Sequence, residues 1–207
     1  AIILINGINI HPGEAKGKMK NALQIAMEYN AMIPEKEKPE YTDRYEGFYH
    51  LDQMEGIVDN ANLRYLLRDH DMAKLEEKKA KIQDIASKLN KKYGENTVQV
   101  EIRDSYYNMA EQIKSHWHLI ETACEAIREL GGNPYSNPVR GGTDGSRLSF
   151  MGLPCPNLGT GSHNHHGKME YACIQAMDQC VELLIRIAEK YSKPFSDIKL
   201  DKHKNTL

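Results

Sequence analysis

Two short stretches hold most of the residues whose types and spacing could do chemistry. One is Arg140-Gly-Gly-Thr-Asp-Gly-Ser-Arg147, a glycine-rich turn with two arginines and an aspartate. The other is Ser162-His-Asn-His-His-Gly-Lys168, which places three histidines within four residues. An arginine fork binds a carboxylate through two parallel hydrogen bonds. Neighbouring glycines let a ligand approach the backbone, and their N–H groups can form a nest for an anion. Arg140, Gly141, Gly142, Thr143 and Asp144 therefore form a candidate anion-binding turn; a solvated turn with a surface arginine is the plainer alternative. A histidine in a Gly-flanked loop suits zinc ligation, because neutral imidazole projects from a loop and is oriented by an outer partner. His166 is the first candidate, with His163 and His165 as alternatives and an ordinary loop histidine as the plainer reading. One histidine cannot hold a catalytic metal, which takes about three protein ligands. No His-Glu-x-x-His run or Cys/His cluster supplies the others, so they are expected outside the chain.

Two further residues stand at the ends of strand-like runs. Arg68 closes Tyr65-Leu-Leu-Arg68, where a sheet would fix an emerging guanidinium, for a ligand or for an ion pair with Asp69. His11 follows an Ile-rich run and precedes Pro12-Gly13, so a turn would present its ring at the rim of the first domain. No Gly-x-Ser-x-Gly elbow, phosphate loop or dinucleotide fingerprint is present.

These residues need elements to position them. Residues 1–10 read as a strand. A helix is expected over 16–32, with Met19, Ala22, Leu23, Ala26 and Met27 at helical spacing. A polar, Pro-containing loop covers 34–45, and strands are expected at 47–51 and 56–67. Asp69-His-Asp71 can cap a helix running to Tyr93, which Gly94-Glu-Asn96 ends. The alternation of Thr97-Val-Gln-Val-Glu-Ile-Arg103 predicts a half-exposed strand. The order βαββαβ is the ferredoxin-like pattern, an antiparallel sheet with two helices on one face. Beyond Tyr107 the spacing predicts helices over 118–130, 144–151 and 169–191, with short strands at 135–139 and 154–158. Ala172, Ile174, Met177, Val181, Leu184, Ile185 and Ile187 form the apolar side of the last helix. These strands are too few for a sheet of their own, so the segment reads as the closing part of an α/β domain. The polar stretch 192–207 is expected to fray.

The composition bounds the class. A chain of 207 residues with 40% hydrophobic and 27% charged residues suits one large or two small globular domains. A net charge of -2 gives no cationic surplus for phosphates, so no nucleic-acid partner is expected. There is no apolar run of roughly 18 residues, so no membrane partner is expected. Nor is a signal peptide expected, because no charged segment precedes an apolar stretch. The four cysteines, Cys124, Cys155, Cys173 and Cys180, form no Cys-x-x-Cys pair and are expected as reduced core or near-core thiols of a cytoplasmic protein. The chain opens directly in strand-like Ala1-Ile-Ile-Leu-Ile5 and is expected to be part of a longer protein.

Taken together, the motifs resemble a known family. His11-Pro-Gly-Glu-Ala-Lys-Gly-Lys-Met19, Glu46-Gly-Phe-Tyr-His-Leu51, Arg68-Asp69, Asp104-Ser-Tyr-Tyr-Asn-Met109, Pro138-Val-Arg-Gly-Gly-Thr-Asp-Gly145, Leu148 to Leu158 and His166-Gly-Lys168 run in order from residue 7 to about 191. They resemble the C-terminal half of the peptidase T group, tripeptide aminopeptidases within the dizinc metallopeptidase family that includes dipeptidase V and carboxypeptidase G-type enzymes. The resemblance implies a lid or dimerisation domain over residues 1–107 and the C-terminal part of the zinc-binding α/β catalytic domain over 108–207. It implies hydrolysis of the first peptide bond of a tripeptide by two zinc ions, in a homodimer formed through the lid. It gives His166 the role of a metal ligand, and not His163 or His165. His11 becomes the lid histidine that supports the oxyanion in the partner subunit's site. Arg68 and Arg140 become holders of the substrate carboxylate, and the Gly141–Asp144 turn lies beside the substrate. The remaining metal ligands and the glutamate proton shuttle are expected before Ala1. A dipeptidase or aminoacylase of the same family is the alternative activity, and for these residues alone a non-catalytic dimerisation module.

Overall fold

The computed structural model describes residues 1–192, which divide into two compact units. The first comprises Ala1–Tyr106 together with Pro138–Gly142, and the second Tyr107–Asn137 with the residues from Thr143 on. The short 138–142 segment thus groups with the first unit, not with the residues that flank it in sequence.

The first unit runs β1 (Ile2–Asn6), α1 (Ala22–Ala31), β2 (Phe48–Gly56), β3 (Asn60–Arg68), α2 (Met72–Tyr93) and β4 (Val98–Glu101). The sheet order is β2-β3-β1-β4 and every pairing is antiparallel, which is the ferredoxin-like arrangement the sequence pattern predicts. Alternation decides the faces. Ile3 and Ile5 on β1 and Ala61, Leu63, Tyr65 and Leu67 on β3 are buried. They pack against Ile25, Ala26 and Tyr29 of α1 and Ile82, Ile85 and Leu89 of α2. Each buried isoleucine or leucine among them contributes about 1.5–3 kcal/mol through removal from water. Two buried tyrosines also tie the layers. Tyr29 Oη donates to the Ile82 carbonyl at 2.7 Å, and Tyr65 Oη donates to Asn30 Oδ1 at 2.9 Å. Burial pushes both hydroxyls far above the ordinary tyrosine range, so they stay neutral donors.

Boundaries follow local chemistry. The first helix begins at Ala22, not near Lys16, because Lys20 pairs with Ile8 in a β-bridge and Asn21 caps the helix by accepting from Leu23 N. Asp71 caps α2 by accepting from Lys74 N, and Gly94, at φ 106°, ends it. The two expected strands at 47–51 and 56–67 become a hairpin with longer arms, turning at residues 57–59.

A partly buried charged cluster lies beside Tyr49 of this hairpin, with Glu37 at its half-exposed edge. The Lys78 side chain, 9% exposed, pairs with Glu37 at 2.6 Å and with Asp69 at 3.6 Å, above the Tyr49 ring. The Asp69 side chain is 2% exposed. Removing one partner of a buried pair strands the other's charge. Lys78→Met should therefore lower the unfolding free energy by about 3 kcal/mol. The half-exposed pair Lys88–Asp84 should lose less than about 0.5 kcal/mol in Lys88→Met. Urea midpoints compare the two variants, and equal losses would show the Lys78 cluster to be solvated.

The second unit holds α3 (Ala110–Ile113), α4 (His118–Glu129), α5 (Asp144–Phe150), the two-residue strands β5 (Ser162–His163) and β6 (Tyr171–Ala172), and α6 (Ile174–Ser192). Helices α4 and α6 pack together, and Lys190 bridges Glu125 and Glu129. The strands expected at 135–139 and 154–158 do not form, since neither segment gains a ladder partner. The last helix starts at Ile174, because Tyr171-Ala172 is drawn into the β5–β6 pair. Its apolar side does not enter a core in this chain: Ile174, Met177, Val181, Leu184 and Ile185 are 49–70% exposed. All four cysteines are free and only half-buried. The expectation for residues 193–207 lies outside the described residues. No helix among the described residues is long and apolar enough to cross a membrane.

Candidate active site

The first unit gathers both candidate arginines at one corner of the sheet. Arg68 is the last residue of β3, where Ala61, Leu63, Tyr65 and Leu67 turn toward the helices. Period-two alternation therefore sends Arg68 to the helix-free face. Phe48 stands directly opposite it in the β2–β3 register and shares that face. The Arg68 guanidinium lies over the Tyr106 ring, 4.7 Å from its centroid. Among the described residues its one direct hydrogen bond is a long one, from Nη1 to the Leu67 carbonyl at 3.4 Å. Burial raises the Tyr106 hydroxyl's pKa, against an opposing pull from Arg68. The neutral hydroxyl adds no negative charge beside the arginine. The 138–142 segment packs against this platform: a Cβ on Gly142 would overlap the Tyr106 ring, so only glycine fits.

Arg140 stacks on Phe48, with its Cζ 4.8 Å from the ring centroid. Its Nη1 donates to the Thr42 carbonyl at 2.8 Å, and its Nη2 to Thr42 Oγ1 at 2.6 Å and the Glu46 carbonyl at 3.1 Å. Nε is buried and has no partner among the described residues. Next to it, His70 Nε2 donates to the Val139 carbonyl at 3.2 Å, and Tyr45 packs edge-on to that imidazole. Arg68, Arg140 and Gly142 are thus brought together through two aromatic plates, Phe48 and Tyr106. The sequence motifs contained both aromatics, but periodicity gave no sign of their role. Gly141 stands in open space.

His11 is exposed and caps the 3-10 turn Pro12–Glu14, its Nδ1 accepting from Gly13 N at 3.1 Å. An imidazole that accepts at Nδ1 carries its proton on Nε2 when neutral. The turn therefore leaves His11 with an outward hydrogen-bond donor.

In the second unit, Thr143 caps α5 by accepting from Ser146 N at 3.3 Å, and Asp144 is its exposed first residue. The histidine loop spans β5 and β6. His163 stacks on Tyr171 with centroids 5.0 Å apart. His165 Nε2 and Ser162 Oγ share a hydrogen bond of 2.8 Å. The exposed His166 ring makes no hydrogen bond among the described residues, although its backbone N–H donates to Glu170 Oε2 at 3.1 Å. His166 has φ 66°. A left-handed conformation costs a non-glycine residue about 1 kcal/mol and concentrates at ligand sites. The three histidines are therefore not equivalent: two are tied within the hairpin and one is free to ligate. Among the described residues no group of three His, Cys, Asp or Glu side chains could hold a metal ion. His166 fits as one ligand of a centre, not as a centre.

Comparison with known proteins shows what the chain is similar to. Residues 1–96 match the family described as Peptidase dimerisation domain. The chain is similar to Peptidase T of Caldanaerobacter subterraneus, with 53% identity over 193 residues covering 93% of this chain and 47% of the relative. It is also similar to Peptidase T of Alkaliphilus oremlandii, with 51% identity over 191 residues, covering 92% of this chain and 47% of that protein. The chain spans about half the length of the curated relatives it matches. The crystal structure of a tripeptidase from Staphylococcus aureus has the same fold over 93% of this chain and 51% of its own, with a TM-score of 0.74 at 20% identity. Along nearly its whole length the chain is thus similar in sequence to about half of Peptidase T, and its first 96 residues match the peptidase dimerisation domain.

Proposed function

We propose that the whole protein is a metal-dependent aminopeptidase that releases the N-terminal residue of tripeptides. In this reading residues 1–107 form the lid through which two subunits pair. Residues 108–207 complete the catalytic domain, and the protein works in the cytoplasm. The observation that carries the reading is the Arg68 guanidinium, fixed on Tyr106 at the end of β3 with most of its donors uncommitted. Such a fork suits the C-terminal carboxylate of a short peptide. A carboxylate fixed at one end of the substrate selects length, because only one peptide bond then falls at the reacting centre. The exposed apolar side of α6 supports the same reading, since a catalytic domain completed by the rest of the protein would cover it.

His166 would contribute one ligand to a zinc centre whose other ligands lie beyond the described residues. Two zinc ions bound there would supply a hydroxide and polarise the scissile carbonyl. His11, brought by the partner subunit, would donate its Nε2–H to the developing oxyanion. Arg68 and Arg140 would together form the carboxylate-holding corner, and the Gly141–Asp144 turn would lie beside the peptide.

Hydrolysis of a free tripeptide and of its C-terminally amidated analogue by the whole enzyme tests the proposal. The free peptide should be cleaved with a kcat/KM about 100-fold higher, the loss expected when a charge-assisted bidentate contact is removed. Equal rates would remove the basis for carboxylate recognition. The 207-residue chain alone, supplied with zinc, should show no turnover above background.

A further inference from the structure

The two arginines differ in what their donors are doing. A guanidinium carries five N–H donors and offers a carboxylate two bidentate edges, Nε with Nη2 and Nη1 with Nη2. Both edges require Nη2. In Arg140 both Nη2 hydrogens are committed, one to Thr42 Oγ1 and one to the Glu46 carbonyl, while Nη1 holds the Thr42 carbonyl. The remaining edge donor, Nε, is buried. Among the described residues Arg68 has one long hydrogen bond, and no other commits either edge.

The groups that Arg140 holds are themselves ordered. Thr42 Oγ1 donates to the Lys38 carbonyl at 3.0 Å. Asp43 N donates to Glu46 Oε2 at 2.8 Å, and Glu46 N to the Asp43 carbonyl at 2.9 Å. His70 fastens the adjacent Val139 carbonyl. The guanidinium face meanwhile backs Phe48, the residue opposite Arg68 in the sheet.

We infer that Arg140 is a positioning residue: it clasps the Thr42–Glu46 loop and braces Phe48 beside Arg68, and Arg68 alone takes the substrate carboxylate. This rests on the carboxylate recognition proposed above and divides that role between the two arginines.

The test is the ratio of kcat/KM for a free tripeptide to that for its amide, measured in the whole enzyme. Arg68→Ala should lower this ratio about 100-fold. Thr42→Val removes the hydroxyl that Arg140 grips and keeps the side-chain shape. It should lower the ratio about 10-fold by raising KM for the free peptide, as displacement of a fixed binding group does. Thr42→Ser, which keeps the hydroxyl, should restore it. In the Arg68→Ala background, Thr42→Val and Arg140→Ala should each change the ratio by less than about twofold, because groups acting through one residue are not additive. If Arg140 binds the carboxylate itself, Thr42→Val frees Nη2 and leaves the ratio unchanged or higher, and Arg140→Ala still lowers it without Arg68. Either result overturns the inference. A wild-type enzyme that does not discriminate overturns the carboxylate reading itself, whereas an Arg68→Ala enzyme that discriminates as well as wild type overturns the inference and leaves that reading standing. Thr42→Val alone decides the matter if Arg140→Ala fails to fold.

Discussion

His166→Ala in the whole enzyme is expected to lower metal affinity by more than about 100-fold, since loss of an outer partner of a ligand already costs 10–100-fold. Activity should fall with it. The argument rests on the contrast within one loop. His163 is stacked on Tyr171, and His165 is bonded to Ser162. His166 has an unbonded ring on a left-handed backbone that Glu170 secures from behind. His163→Ala and His165→Ala should therefore leave the metal content intact and change activity only modestly. Metal content per subunit, measured after dialysis, separates the three variants. Full metal retention in His166→Ala, or equal loss in His165→Ala, would remove His166 from the ligand set.

How much of this was legible in the sequence differs between the two units. The ferredoxin-like unit was readable because its core is built on simple periods. Ile3 and Ile5 alternate on β1, four buried residues alternate on β3, and α2 carries its apolar residues at helical spacing. Its misplaced edges came from pairings over distance: the bridge between Ile8 and Lys20 shortened α1, and a hairpin lengthened β2. The second unit was less readable because its elements satisfy no core of their own. A helical stripe such as Ile174, Met177, Val181 and Leu184 announces a face to be covered and does not say by what.

The same division holds at the site. Arg68 could be placed because it ends a strand whose register is fixed by its own alternation. Arg140 could be identified as a fork but not as an occupied one, because Thr42 and Glu46 lie 98 and 94 residues away. Tyr106 and Phe48 become platforms only through the fold. Composition could not rank the three histidines; the family motif favoured His166, and the hairpin supplies a physical reason. The bracing of Phe48 also explains how two arginines far apart in sequence can serve one ligand without both touching it.

His11→Ala should lower kcat by about 10²–10³, the cost of losing one preorganised donor to an oxyanion, with metal content unchanged. The turn Pro12–Glu14 provides the preorganisation. Gly13 N–H occupies Nδ1, so the neutral ring carries its proton on Nε2 and needs no tautomeric change to donate. His11→Gln, which retains an N–H donor, should recover part of the loss. The stronger test uses symmetry. In a two-fold dimer whose sites each borrow His11 from the neighbour, a subunit carrying His11→Ala and one carrying His166→Ala complement each other. The mixed dimer contains one site with both histidines intact. Random mixing in equal amounts makes half of the dimers mixed, so about a quarter of wild-type activity should return from two nearly inactive proteins. If His11 served its own subunit's site, every mixed dimer would lack one of the two histidines at each site, and no activity would return.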